Sequence, residues 1–236
     1  MKHLILLATI SLLLFACSKD DNDVQRIRLK SIGYSTGENV TCTYTNDRMS
    51  SETFTSGSNS IVSTFTEFDA QNRLTKYFNR DYSIQISYID GTNYWEKSYF
   101  NLATGSLYAK YKIQKIGNTV EVSMYTAAGS FTEKYVYIFD TGMNNVLGYE
   151  IYDSDDDKIQ SRIYSNFDNK KTPNEFYPVG FFFVNQGKNN YSTFTDLLTS
   201  GGVAPTSCSN EYNEQGYVVR KVFSTGLVVT YQYETY

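Results

Sequence analysis

Hydrophobic and polar residues alternate with period two along most of this chain. Leu107, Ala109, Tyr111 and Ile113 fall on one face and Tyr108, Lys110, Lys112 and Gln114 on the other. Ile84-Ile86-Tyr88, Val120-Val122-Met124 and Leu227-Val229-Tyr231-Tyr233 repeat the pattern. Neighbouring side chains of a strand point to opposite faces, so each run buries one face and wets the other, as in an antiparallel sheet. Asp90-Gly91, Thr104-Gly105, Gly117-Asn118, Ala128-Gly129, Gln215-Gly216 and Thr225-Gly226 separate the runs. Gly and Asn supply the positive φ of tight turns, and such short intervals leave no room for parallel crossovers. The pattern predicts one all-β domain over 26–236, a single curled antiparallel meander.

Residues 167–210 break the pattern and hold all three prolines, Pro173, Pro178 and Pro205. They read as an elaborated loop packed on the sheet. Within them, the apolar run Gly180 to Val184 predicts a strand buried on both faces. Ser192 to Leu198 predicts a short helical turn ended by Gly201-Gly202.

The N-terminus is different again. A short positive start, Met1-Lys2-His3, precedes an apolar stretch from Leu4 to Phe15, too short for a comfortable bilayer span of about 20 residues. This predicts a secretory signal over 1–16. Removal of the signal takes His3, the single histidine, with it. The mature chain then has no Ser-His-Asp triad, Cys-His pair or histidine zinc site. The net charge of −4 and the absence of a basic block argue against nucleic acid as a partner. Cys42 and Cys208 either form a bridge between distant parts of the chain or stay as two small buried thiols.

Leu14-Phe15-Ala16-Cys17 resembles the lipobox of bacterial lipoproteins. The resemblance implies that Cys17 is acylated, becomes the mature N-terminus and attaches the protein to the outer membrane. Residues 17–25 then form a lipidated, acidic tether. Within it, Ser18-Lys19-Asp20-Asp21 resembles the signal that sends Bacteroidota lipoproteins to the cell surface. The alternatives are a plain spacer and the periplasmic face of the membrane. Three segments share an aromatic, an acidic or polar turn and an aliphatic restart: Phe68 to Lys76, Tyr152 to Ile159 and Tyr212 to Lys221. They resemble weak tyrosine-aspartate repeats. Tyr164 to Pro173, followed by Gly187 to Asn190, is similar to a segment of Bacteroidota lipoproteins whose domain of unknown function is described as porin-like. That resemblance implies a barrel-like or partly open curled sheet at the cell envelope. It carries over no functional residues.

Three constellations are candidates for chemistry. Asp153, Asp155 and Asp157 begin like a calcium loop, but Lys158 stands where the loop needs glycine, which favours a solvated turn. Tyr94, Trp95 and Tyr99 could stack against sugar rings, or divide between core and surface. The carboxylates Glu67 with Asp69, or Glu121 with Glu133, would serve a glycosidase only if held about 5–9 Å apart. The sequence therefore predicts a non-catalytic, cofactor-free envelope module that binds a protein or glycan. The alternatives are a glycan-binding surface lipoprotein using exposed aromatics and a carboxylate glycosidase.

Overall fold

A computed structural model describes residues 26–182, 187–198, 201–202 and 204–236. The leader, Cys17 and the tether lie outside the described residues. The described chain divides into two units. In the small one, the Tyr236 amide donates to the Arg26 carbonyl at 3.0 Å, and Arg28 Nε meets Glu234 at 2.7 Å.

The other unit, Leu29–Tyr233, is an all-β barrel. Its strands in chain order begin with β1 (Ile27–Tyr34), β2 (Asn39–Thr45), β3 (Arg48–Ser56), β4 (Asn59–Phe68), β5 (Leu74–Phe78) and β6 (Tyr82–Tyr88). They continue with β7 (Tyr94–Asn101), β8 (Leu107–Ile116), β9 (Thr119–Thr126), β10 (Phe131–Phe139), β11 (Val146–Tyr152) and β12 (Lys158–Lys171). The last are β13 (Asn189–Leu198), the two-residue β14 (Gly201–Gly202), β15 (Thr206–Tyr212), β16 (Val218–Phe223) and β17 (Val228–Thr235). Chain neighbours pair antiparallel from β1 through β13. β13 continues to β15, and β16 and β17 follow. β17 then pairs with β1, where the Ser35 amide reaches the Val228 carbonyl at 2.8 Å. The meander is thus closed, which removes the unpaired edges an open sheet would expose.

Alternation decides which face is inside. Ile84, Ile113, Val122 and Val218 are fully buried, while Tyr108, Lys112 and Gln114 are exposed. Burying each such aliphatic contributes about 1.5–3 kcal/mol. The outer face carries cross-strand ion pairs, including Lys110–Glu96 at 3.0 Å, Lys76–Glu67 at 3.0 Å and Arg220–Glu211 at 2.6 Å. A barrel that crosses a membrane shows lipid an apolar band and keeps its polar residues inside. Here the aliphatic side chains fill the inside, and the outside mixes these ion pairs with exposed apolar residues such as Ile61, Val62 and Ile163. The glycines of all six sequence-predicted turns adopt positive φ. The three similar segments close on one turn: Asp69, Asp153 and Asn213 each accept the amide of the residue four positions on through the side chain.

The segment at 167–210 requires correction. β12 runs on to Lys171, and Ser192 to Leu198 belongs to β13, not to a helical turn. Pairing with β12 and β15 on either side satisfies its backbone as a strand. Gly180 to Phe182 is a turn and bend rather than a strand, and residues 183–186 lie outside the described residues. From Thr172 to Phe182 the chain folds inward, through a 3-10 turn at Pro173–Phe176. Phe181 packs edge-on against Phe65 at 4.9 Å and Tyr77 at 5.4 Å, and the Leu74 amide donates to the Val179 carbonyl. Gly180 has φ +96°, and a Cβ there would collide with the Tyr88 hydroxyl. Glycine alone permits this approach.

Candidate functional site

The inward segment leaves a cavity of about 570 Å³ at one end of the β6–β7 hairpin. Trp95, Tyr88, Phe139, Met143, Tyr177 and Phe182 supply its apolar walls, and Arg73, Lys115 and Glu175 its charged groups. Trp95 reaches it because it lies inward on β7, opposite Tyr88 on one side and Ile113 on the other. Arg73 is fixed by Asp69 at 2.6 Å and Asp90 at 2.9 Å, and its guanidinium lies 4.1 Å over the Tyr88 ring. The Tyr88 hydroxyl donates to the Leu74 carbonyl at 3.1 Å, and burial pushes its pKa up to about 12. Glu175 accepts the Tyr217 hydroxyl. Tyr177 stacks on Phe181 with centroids 5.6 Å apart and planes 8° apart, and burial, with the Glu52 carboxylate beside it, raises its pKa.

Tyr94, Trp95 and Tyr99 do not form one platform. Trp95 and Tyr99 share the inner face. Tyr94 takes the outer one, where its hydroxyl donates to Glu96 at 2.5 Å. Tyr99 lies deeper, 5.3 Å from Tyr111. Trp95 and Tyr94 both border the cavity, but from opposite faces of β7, and Tyr99 does not line it.

The carboxylate pairs do not face each other. Glu67 binds Lys76 on the outside, while Asp69 holds the turn and Arg73. Glu121 and Glu133 sit at registers of opposite facing on β9 and β10. Asp153 Oδ1 accepts the amides of Asp155 and Asp157, each at 3.0 Å, so its lone pairs serve the turn. Among the described residues no three acidic, cysteine or histidine side chains converge to hold a metal. Cys42 and Cys208 are both buried free thiols. Burial, helped by Glu52, pushes Cys42 up to about 12, and burial raises Cys208.

Sequence reasoning missed Tyr177, Phe182 and Met143, which come to the cavity from loops. It also missed a visible signal: lysines at inward registers, Lys97 between Trp95 and Tyr99, and Lys221 two residues before Phe223. Both are buried.

No protein-family profile matches the chain, and no curated protein does. Among solved structures it is similar to a porin-like protein from Bacteroides vulgatus ATCC 8482, with 10% identity, 87% of this chain and 98% of that one covered, and a TM-score of 0.48. A porin-like protein from Bacteroides uniformis ATCC 8492 matches with 14% identity, 87% and 96% coverage and a TM-score of 0.38.

Proposed function

We propose that this protein is a non-catalytic binding module, anchored at the cell envelope through lipid on Cys17, whose ligand enters the cavity beside Trp95. The observation that carries the reading is that cavity. It is a concave, ring-lined space with a few fixed polar groups, the usual make-up of a small-ligand site. Among the described residues lining it there is one carboxylate, Glu175, whereas glycoside hydrolysis uses two. The ion pairs on the outer face support attachment by acyl chains instead of insertion of the barrel.

The Trp95 and Tyr88 rings, with Arg73 and Glu175 beside them, favour a saccharide as the ligand. Ring faces bury sugar C–H surface, and the charged groups can bond hydroxyls. The test is a titration of the purified protein with a panel of polysaccharides and oligosaccharides, following the fluorescence of Trp95, its single tryptophan. Saturable quenching or enhancement with one glycan, abolished in the thermal-shift readout of Trp95→Ala, supports the reading. Absence of any response across the panel rejects the saccharide. Binding that survives Trp95→Ala rejects the site.

A further inference from the structure

A second cavity, of about 390 Å³, lies on the inner face of β10–β13 and β16–β17. It falls in the range of small-molecule sites, about 300–1,000 Å³. Its walls are a run of tyrosines. Tyr164 lies 4.6 Å from Tyr191 and 6.4 Å from Tyr149, and Tyr149 lies 6.0 Å from Tyr137. Tyr231 completes the lining, and Asn174 in the 3-10 turn borders both this cavity and the one beside Trp95.

Among the described residues lining this space, one is a cation. Lys221, on β16, is 6% exposed and lines the cavity. Its ammonium lies 4.2 Å over the Tyr191 ring, and among the described residues no hydrogen bond or ion pair holds it. A buried cation without a hydrogen-bonded anion is costly, and an anionic ligand would offset that cost. Opposite Lys221 on β15, Asn210 Oδ1 is buried without a hydrogen-bond partner, so this corner has donor and acceptor capacity in reserve.

The surrounding charges set the ligand's own. Arg162 is bound bidentately by Asp196, at 2.6 and 2.8 Å, so that pair is neutral. Asp168, a carboxylate whose charge acts on Lys221, accepts the amides of Lys170 and Asn190 and the hydroxyl of Tyr212. It offsets part of the lysine's charge and would repel a dianion. Burial raises the pKa of Tyr137, Tyr191 and Tyr231, so their hydroxyls stay protonated and able to donate.

We propose that this cavity binds an organic monocarboxylate with an apolar body, the carboxylate on Lys221 and neighbouring tyrosine hydroxyls and the body among the rings. The proposal goes beyond the site beside Trp95 and does not depend on it.

The test uses the purified full chain with octanoate and benzoate as probes, and 1-octanol and benzyl alcohol as neutral counterparts, by calorimetry and thermal shift at neutral pH. At least one acid should bind saturably and about tenfold or more tighter than its alcohol, a gap of about 1.4 kcal/mol. Lys221→Met should abolish the difference, Lys221→Arg should keep it, and Trp95→Ala should leave it unchanged. No saturable binding by either acid, equal binding of acid and alcohol, or full binding by Lys221→Met overturns the proposal. The acid–alcohol comparison on the unaltered protein decides the matter even where a variant fails to fold.

Discussion

Lys97 offers the sharpest test of how this barrel is held together. It is 3% exposed, and its ammonium donates to the Phe181 carbonyl at 2.6 Å while facing the rings of Tyr77, Tyr99 and Phe181. Desolvation lowers its pKa from 10.5 to about 7. At 1.36 kcal/mol per unit, this disfavours the charged form by about 5 kcal/mol. A lysine whose folded pKa lies below its unfolded one binds fewer protons in the native state across that interval. Stability must therefore rise with pH between the two values. From pH 7 to about 9.5 the rise from Lys97 is about 3 kcal/mol. The window ends there because buried tyrosines such as Tyr77 and Tyr99 have raised pKa values. Their contribution is present below about 10 and is lost as pH rises through the folded values.

Lys97→Met removes the titration and also the bond to Phe181, which costs about 2 kcal/mol with the carbonyl left buried. At pH 7 the variant should be more stable by about 2 kcal/mol, a rise in Tm of about 4–8 °C for a domain of this size. Near pH 9.5 the advantage should vanish or reverse. Lys221, also lowered by burial, adds a slope of the same sign to both proteins, so the difference between them is the diagnostic quantity. Urea denaturation at several pH values measures it. A difference that does not change from pH 7 to 9.5 would refute the reasoning, as would a variant less stable at pH 7.

Gly180→Ala should destabilise by about 2 kcal/mol or more in denaturant titration, because φ +96° is strained for alanine and the Tyr88 hydroxyl occupies the added methyl's place. A change under about 0.5 kcal/mol would mean that the segment does not dock as described. Asp196→Asn leaves the partly buried Arg162 half-paired and should cost about 1–3 kcal/mol by the same measurement. In a Cys17→Ser chain, Cys42 and Cys208 should resist a thiol reagent until denaturant is added, with a Tm insensitive to reductant; fast native labelling would contradict their burial. Radiolabelled fatty acid should enter the wild type and be absent from Cys17→Ala, and equal labelling of the two would remove the anchor from the proposed function.

The fold was legible wherever one face of a strand is buried and the other wet. In that situation period-two alternation has one solution, and the runs around Ile84, Ile113, Val122 and Val229 point inward as their spacing predicts. The segment from Thr172 to Leu198 was misread for a physical reason. Phe194, Leu197 and Leu198 mix with Thr and Asp, so local pattern did not separate strand from turn, and only pairing with β12 and β15 settles it. The site was less legible. Trp95 stood out by its chemistry, whereas Tyr94 beside it goes to the opposite face, as adjacent strand residues must.

The sequence by itself determined the all-β class, the turns and the inward set of each strand, because these follow from backbone geometry and local solvation. Tertiary structure alone decided that β17 returns to β1 and that the chain from Thr172 to Phe182 turns into the barrel. It also decided that space is left beside Trp95 and beside Lys221. Closure and cavities depend on contacts between residues far apart in the chain, and no local pattern encodes which distant surfaces meet.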